Sequence, residues 1–354
     1  MKNILINGNF LCRNLTGIER YAAEVCRRLD SLLKEEDSVF ILVPKNAHFV
    51  PEYKKIRIIQ SKKSIRGFPL WDLVVFALAA LKMKAVPLDF SNTAPLGSLC
   101  GIAFLHDIYA RDFPLDFSSF RDKLIRAYSL LNYKNIAMNA KKIITVSHFS
   151  KERIVASYGV KSDRIAVIGN GWEHFKATEE DETVFMRFPN LLEKPFFFTL
   201  GSLSRRKNLA WILRAAKKNP DSIFAVSGKA ISGLVSDELS ELQRMENVVL
   251  LGYVSDGEVK ALMKKCKAFI FPSYYEGFGI PPLEALSVGA EVICAKAASL
   301  PEIFGNSVHY TDPYDENPDL NVILAEKTRD SLAVLEKYTY KSAAEKLLEV
   351  LREI

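Results

Sequence analysis

The stretch Tyr274-Tyr275-Glu276-Gly277-Phe278-Gly279-Ile280-Pro281-Pro282-Leu283-Glu284-Ala285-Leu286 decides how the chain is read. An apolar run of strand length, residues 267–271, precedes it, and two glycines lead from that run into a helical pattern. Its prolines stand where a first helical turn tolerates them. The unit is therefore strand, glycine turn, helix, with Glu276 in the turn and Glu284, after seven intervening residues, early in the helix. Backbone amides at a helix start, reached through glycines, suit a phosphate-bearing ligand.

The same alternation runs through the rest of the chain. Residues 4–7 read as a first strand, 7–16 as a polar loop, and 17–29 place apolar residues at helical spacing. Further strands are expected at 39–43, 56–59, 101–105, 142–147 and 164–168, and a second series at 195–201, 222–227, 248–251, 268–271 and 291–294, with helical patterns between them. Strands alternating with helices predict largely parallel, helix-covered sheets: an α/β chain of doubly wound, Rossmann-like domains. The acidic, unpatterned residues 179–182 interrupt the alternation. We read 1–172 as an N-terminal domain, 173–190 as a linker and 191–335 as a C-terminal domain, with an amphipathic helix at the end of the chain.

Composition agrees with two domains, since 354 residues exceed the usual single-domain size. A net charge of +6 is too mild for a nucleic-acid partner and suits an acidic ligand or an anionic membrane surface. Five scattered cysteines, an odd number with no C-x-x-C pair, argue against a disulfide framework or a zinc site. The N-terminal apolar run is too short for a signal peptide, so a cytoplasmic location is expected. The longest apolar run, 73–81, is about half of what a spanning helix needs. The helix expected over 70–83 is flanked by Lys62, Lys63, Arg66, Lys82 and Lys84. It reads either as a membrane-surface helix or as a domain helix with solvated basic ends.

Ligands of open parallel sheets bind beyond the carboxyl ends of strands. His106, at the end of the strand 101–105, occupies such a place, as a ligand-facing group or as a structural hydrogen-bonder. Ser147 and Ser150 follow the strand 142–147, where a hydroxyl can cap the next helix. The loop Gly201-Ser202-Leu203-Ser204-Arg205-Arg206-Lys207-Asn208 brings three cations to the end of the strand 195–201, where they could neutralise a diphosphate. There is no D-x-D pair, P-loop, H-x-x-x-H or G-x-S-x-G, so metal-assisted, P-loop and serine-hydrolase readings lose support.

Glu276-Gly-Phe-Gly-Ile-Pro-Pro-Leu-Glu284, the loop 201–208, His106-Asp107, Val167-Ile-Gly-Asn-Gly171 and Thr16-Gly-Ile-Glu-Arg-Tyr21 together resemble the family 4, or group 1, glycosyltransferases of the GT-B type. The resemblance covers nearly the whole chain. It implies two Rossmann-like domains facing each other across a cleft, with residues 336–354 crossing back to the N-terminal domain. It also implies transfer of a hexose-type sugar, with retention and without a metal or cofactor, from a nucleotide-diphosphate sugar (GDP-, UDP- or dTDP-linked). The acceptor would be a saccharide or lipid-linked glycan at the inner face of the plasma membrane.

By the same resemblance, Glu276 holds donor-sugar hydroxyls, the amides of Gly277, Phe278, Gly279 and Ile280 face the sugar and phosphates, and Glu284 accepts from the ribose diol. Backbone near Val254 meets the base. Arg206 and Lys207 stabilise the leaving diphosphate, His106 closes on the sugar, and Gly17, Ser147 and Gly201 complete the donor site. Two positions depart from the pattern: Ser202 stands where many members carry Arg, and Thr16 where a glycine is usual. A sugar-nucleotide hydrolase or epimerase on the same scaffold, or a non-catalytic sugar-nucleotide-binding subunit, are the rival readings.

Overall fold

A computed structural model describes residues 2–13, 17–65, 68–201, 204–228 and 237–354. Thr16, Arg66, Ser202 and Leu203 lie outside the described residues. The chain divides into two compact units, Met1–Gly171 with Tyr338–Ile354, and Trp172–Lys337.

The first unit is built on seven strands: β1 Ile4–Asn7, β2 Val39–Val43, β3 Arg57–Gln60, β4 Val86–Asp89, β5 Ile102–Phe104, β6 Lys142–Thr145 and β7 Ile165–Val167. Every pairing is parallel, in the order β3-β2-β1-β4-β5-β6-β7. One face of this sheet carries Ile4, Ile6, Ile41, Leu88, Ile102, Phe104 and Ile144 into a core shared with helix α1, Gly17–Leu32, and with the helix Tyr340–Arg352. α1 forms because Tyr21, Ala22, Val25, Cys26 and Leu29 recur at helical spacing, and all of them are buried. Tyr340, Ala343, Ala344, Leu347 and Leu351 make the matching stripe of the last helix. Tyr21 and Tyr340 meet edge to face, with ring centroids 6.2 Å apart.

The opposite face carries Leu5, Leu42, Ala103 and Ile143. The helical segment 68–83 covers Leu5 and Leu42 through Trp71, Phe76 and Ala80. Helix α2, Phe120–Asn139, covers Ala103 and Ile143 through Tyr133, Ile136 and Ala137. α2 begins at a capping box in which Ser119 and Asp122 satisfy each other's backbone amides. The 68–83 segment passes through a π-helical turn at Trp71–Phe76, which turns both Trp71 and Asp72 inward.

The second unit repeats the plan with six strands: β8 Phe196–Leu200, β9 Ile223–Ser227, β10 Val248–Gly252, β11 Ala268–Phe271, β12 Val292–Ala295 and β13 His309–Thr311. The order is β10-β9-β8-β11-β12-β13, again all parallel. Chain direction across the sheet reverses between β8 and β11, the topological switch point where such sheets bind ligands. Residues 173–190, which read as a linker, are short helices instead. Phe175, Val184 and Phe185 are buried, and Lys260 donates to the carbonyls of Phe175 and Thr178 at 3.1 and 2.7 Å. The acidic composition that hid these helices is explained by Glu180 and Glu182, which pair with Lys264 and Lys265.

The last helix is part of the first unit's core, so a cavity in it should act there. Leu347→Ala, at a fully buried position, is expected to cost about 2–5 kcal/mol. Denaturant unfolding followed by backbone hydrogen exchange checks this: protection should fall in β1, β2 and α1 and stay unchanged in β8 to β13.

Candidate functional site

At the switch point of the second unit, β8 ends at Leu200, and the chain passes through Gly201 into a short 3-10 turn, Arg205–Lys207. Asn208 then adopts a left-handed conformation, φ 61°, which asparagine tolerates better than most residues. Its side chain caps the helix Leu209–Lys218 by accepting from Trp211 N at 3.3 Å, and donates to the carbonyls of Pro272 and Pro313 at 3.1 and 2.8 Å. One residue therefore ties the basic turn to the chain leaving β11. The backbone adds a second tie, Tyr274 N to Arg206 O at 3.1 Å.

This fastening brings the basic turn to Glu276. Lys207 Nζ lies 2.7 Å from Glu276 Oε1, and Arg206 Nη1 lies 3.3 Å from Oε2, whereas Arg205 is exposed. Lys207 also sits 4.5 Å from the centroid of the Phe271 ring. A Cβ on Gly201 would come within 3.2 Å of the Lys207 stem, so glycine leaves the lysine its room. Glu276 is buried. Burial alone would push its carboxyl up, but the charges of Arg206 and Lys207 outweigh that and hold it below the usual carboxylate range. It is a buried anion with two cations.

The turn after Glu276 ends at Gly279, φ 101°, which caps the helix Ile280–Ser287. A side chain there would be strained by its φ and would meet Leu300 at 2.7 Å. Pro281 and Pro282 supply no N–H. The helix therefore lacks a full first turn of N–H donors. Ser299, which the sequence reading passed over, fixes that turn by donating to the carbonyls of Glu276 and Phe278 at 2.9 and 3.4 Å.

Glu284 is buried in the same helix, with Oε1 2.9 Å from His174 Nε2. His174 lies in the stretch read as a linker, so the sequence carried no signal for it. Val254 is buried just beyond β10, where Ser227 Oγ and Gly228 N both donate to the Gly252 carbonyl, at 2.9 and 3.1 Å.

Three of the residues named from the sequence lie in the first unit. Gly17 opens α1 and is exposed. Ser147 is buried and caps the helix His148–Tyr158 by accepting from Ser150 N at 3.1 Å. His106 follows β5, its ring stacked on Phe104 and edge-on to Tyr21, at centroid distances of 5.5 and 5.8 Å. Its Nε2 lies 2.7 Å from the Phe90 carbonyl, and Asn92 Oδ1 accepts its backbone amide at 2.8 Å. Burial lowers the imidazole pKa despite the Phe90 carbonyl and the nearby acids. The ring is therefore neutral, Nε2–H faces an oxygen that can only accept, and Nδ1 is left as an acceptor.

A second polar cluster closes the switch point of the first unit, between β1 and β4, and nothing local in the sequence announces it. Asn7 Nδ2 donates to Asp72 Oδ1 at 2.8 Å and Asp89 Oδ1 at 2.6 Å, and its Oδ1 accepts from Trp71 Nε1 at 2.8 Å. Thr93 Oγ1 donates to Asp72 Oδ2 at 2.8 Å. Burial raises the Asp72 carboxyl. It raises Asp89, whose Asp72 neighbour adds to the effect, well above the usual range. No group of three or more His, Cys, Asp or Glu side chains able to hold a metal occurs among the described residues.

Two parallel-sheet Rossmann-like units, the second carrying a cationic turn and a glycine turn at its switch point, define an α/β protein of the GT-B class. Residues 15–174 match the profile of Glycosyltransferase Family 4, and residues 181–342 that of Glycosyl transferases group 1. The chain belongs to this glycosyltransferase family. It is similar to O-antigen chain mannosyltransferase B of Escherichia coli, 30% identical over 186 residues, which are 50% of this chain and 49% of that one. The match thus spans about half the length of this curated relative. In fold it is similar to a sucrose-phosphate synthase from Thermosynechococcus elongatus, with a TM-score of 0.75, 15% identity, and coverage of 100% of this chain and 99% of that one. It is also similar to Anabaena HepE, solved in complex with UDP and glucose, with a TM-score of 0.68, 17% identity, and full coverage of both chains.

Removing one cation should expose what the pair does for Glu276. Lys207→Met is expected to cost about 3 kcal/mol at pH 7, the low end for breaking a buried pair because Arg206 remains. A carboxyl whose folded pKa is depressed contributes stability above its unfolded value, near 4.5, and loses it as pH falls through the folded value. The gap between wild type and variant should therefore hold from pH 7 down to about 4.5 and narrow as pH falls below it in denaturant titrations. A gap that stays constant would show that Glu276 is not the partner that matters.

Proposed function

We propose that the protein is a retaining glycosyltransferase that moves a hexose-type sugar from a nucleotide-diphosphate sugar to a saccharide or lipid-linked acceptor in bacterial surface polysaccharide synthesis. The observation that carries this reading is the convergence of Arg206 and Lys207 on Glu276, beside the glycine turn at the second unit's switch point. Family membership and the E. coli relative's O-antigen role support the substrate class. GDP, UDP and dTDP donors all fit these groups, since none of the residues named reads the base.

In this reading a donor's diphosphate takes up the cations, and Glu276, freed from part of its pairing, accepts hydroxyls of the transferred sugar. Glu284, oriented by His174, accepts from the ribose diol, and backbone near Val254 meets the base. As the anomeric C–O bond to phosphate breaks, negative charge grows on the leaving oxygen, and Arg206 and Lys207 stabilise it without a metal. The acceptor oxygen forms its bond on the same face, and its proton passes to the departing phosphate oxygen. Glu276 therefore positions the sugar and does not form a glycosyl-enzyme bond. The Nδ1 of His106 offers an acceptor for a sugar hydroxyl. The site of action in this reading is the inner face of the membrane that carries the acceptor.

A thermal-shift screen of the full chain against UDP, GDP and dTDP and their sugars tests the donor. At least one should raise the unfolding temperature, because a ligand bound only by the folded state stabilises it. With the responding donor, Arg206→Ala and Glu276→Ala should each lower turnover on the order of 10²–10³-fold. Activity should survive EDTA, and the product should keep the donor's anomeric configuration by NMR. No response to any nucleotide, or full activity in Glu276→Ala, would overturn the reading.

A further inference from the structure

The carboxyl ends of β11 and β13 carry a pair of tyrosines that the proposed donor contacts leave unused. Tyr274 is the third residue past Phe271, and Tyr314 the third past Thr311. Their rings stack, with centroids 6.4 Å apart and planes 23° from parallel. Tyr274 is half-buried, whereas Tyr314 is 65% exposed. The loop that carries Tyr314 is fastened on both sides of it. Asn208 Nδ2 and Arg214 Nη2 donate to the Pro313 carbonyl at 2.8 and 3.4 Å, Arg214 Nε donates to that of Asp315 at 2.7 Å, and Asp312 Oδ1 accepts from the Tyr314 amide at 2.9 Å. Asn208 also holds the Pro272 carbonyl, and Tyr274 N donates to Arg206 O at 3.1 Å, so both tyrosines are tied to the basic turn. A single exposed tyrosine needs no explanation. Two stacked rings on fastened loops, at the end where parallel sheets bind ligands, form a shelf that is ordered before any ligand arrives.

The surroundings select the ligand. Arg205, on the basic turn, and Asp312 and Glu316, on the Tyr314 loop, are exposed, so hydrogen-bond donors and carboxylate acceptors both flank the rings. Hydroxyl groups, which donate and accept, match such a rim, and the negative face of an aromatic ring attracts the polarised C–H groups of a pyranose. The acids disfavour a bare phosphate or an anionic lipid surface. Distance argues against the nucleotide base. In the proposed reading the base lies by Val254, just beyond β10, and β10 is three strands from β11, roughly 14 Å at the usual spacing. Tyr274 instead precedes Glu276 by two residues, and Glu276 is the group that holds the transferred sugar in that reading. The shelf therefore lies toward the sugar end of the donor, where the acceptor must arrive.

We propose that the shelf of Tyr274 and Tyr314 is an acceptor subsite on the second unit, where a pyranose ring of a saccharide stacks on the exposed face of Tyr314. The inference deepens the proposed function: it rests on the transferase reading for calling this saccharide the acceptor, and it adds a ring-stacking contact on the unit that also takes the donor.

Saturation-transfer NMR of the full chain with α-linked mannotriose, maltotriose and methyl α-rhamnopyranoside is the test. Saturation of the aromatic protons should reach the ring C–H protons of at least one of these saccharides in wild type. Tyr314→Ala should cut that signal about tenfold, and Tyr314→Phe should keep it, since the ring and not the hydroxyl makes the contact. The nucleotide thermal shift should be the same in wild type and both variants, showing that the fold and the donor site are intact. No transfer to any of the saccharides, a Tyr314→Ala signal equal to that of wild type, or loss of the signal in Tyr314→Phe would each overturn the proposal. So would a weaker nucleotide shift in Tyr314→Ala, which would give the ring to the base. Saccharide binding that depends on Tyr314, without any nucleotide response, would instead sink the transferase reading and leave the shelf standing as a saccharide site.

Discussion

The arrangement of the second unit depends on one buried carboxylate kept ionised. Glu276 is buried, and an isolated charge there would tend to take a proton. It stays charged because Lys207 and Arg206 lie at 2.7 and 3.3 Å. Those cations are in turn held by a neutral residue, Asn208, whose amide spans the chains leaving β11 and β13 through the Pro272 and Pro313 carbonyls. The dependence runs from backbone to charge. A left-handed asparagine fixes a turn, the turn presents cations, and the cations keep an acid in its anionic form.

That arrangement is self-satisfied without a ligand, which bears on how it could work. Two cations meet on the carboxylate, beside a turn at a helix start whose dipole favours an anion. Buried pairs of this kind have modest net worth for stability, while removing one partner is costly because the other charge is left buried.

Periodicity made most of the fold legible, because β-strands such as Val39–Val43 and Ala268–Phe271 are short apolar runs between turn residues, and α1 shows its buried stripe directly. It failed where period or length was lacking. β13 spans only His309–Thr311, and the helices within 173–190 hide behind acids whose lysine partners lie some 84 residues away. Glu276, Arg206 and Lys207 could be named from the chain, but which arginine turns inward is decided by a 3-10 turn that has no pattern. His174, Ser299 and the Asn7–Asp72–Asp89 cluster had no signal at all, since each works through a partner distant in sequence. α2 was legible as a helix but not by face: with apolar residues on both sides, no single stripe announces which side is buried.

The two switch points, built on the same topology, have opposite chemistry. In the second unit a carboxylate is charged and matched by cations. In the first, burial and its Asp72 neighbour push the Asp89 carboxyl well above its usual range, Asn7 supplies amide hydrogen bonds, and burial lowers the pKa of His106, whose ring lies on the Phe90 carbonyl. Arg13, whose charge is felt at Asp72, already pairs with Glu19 at 3.2 Å. The two switch points therefore use the same strand order for opposite electrostatics.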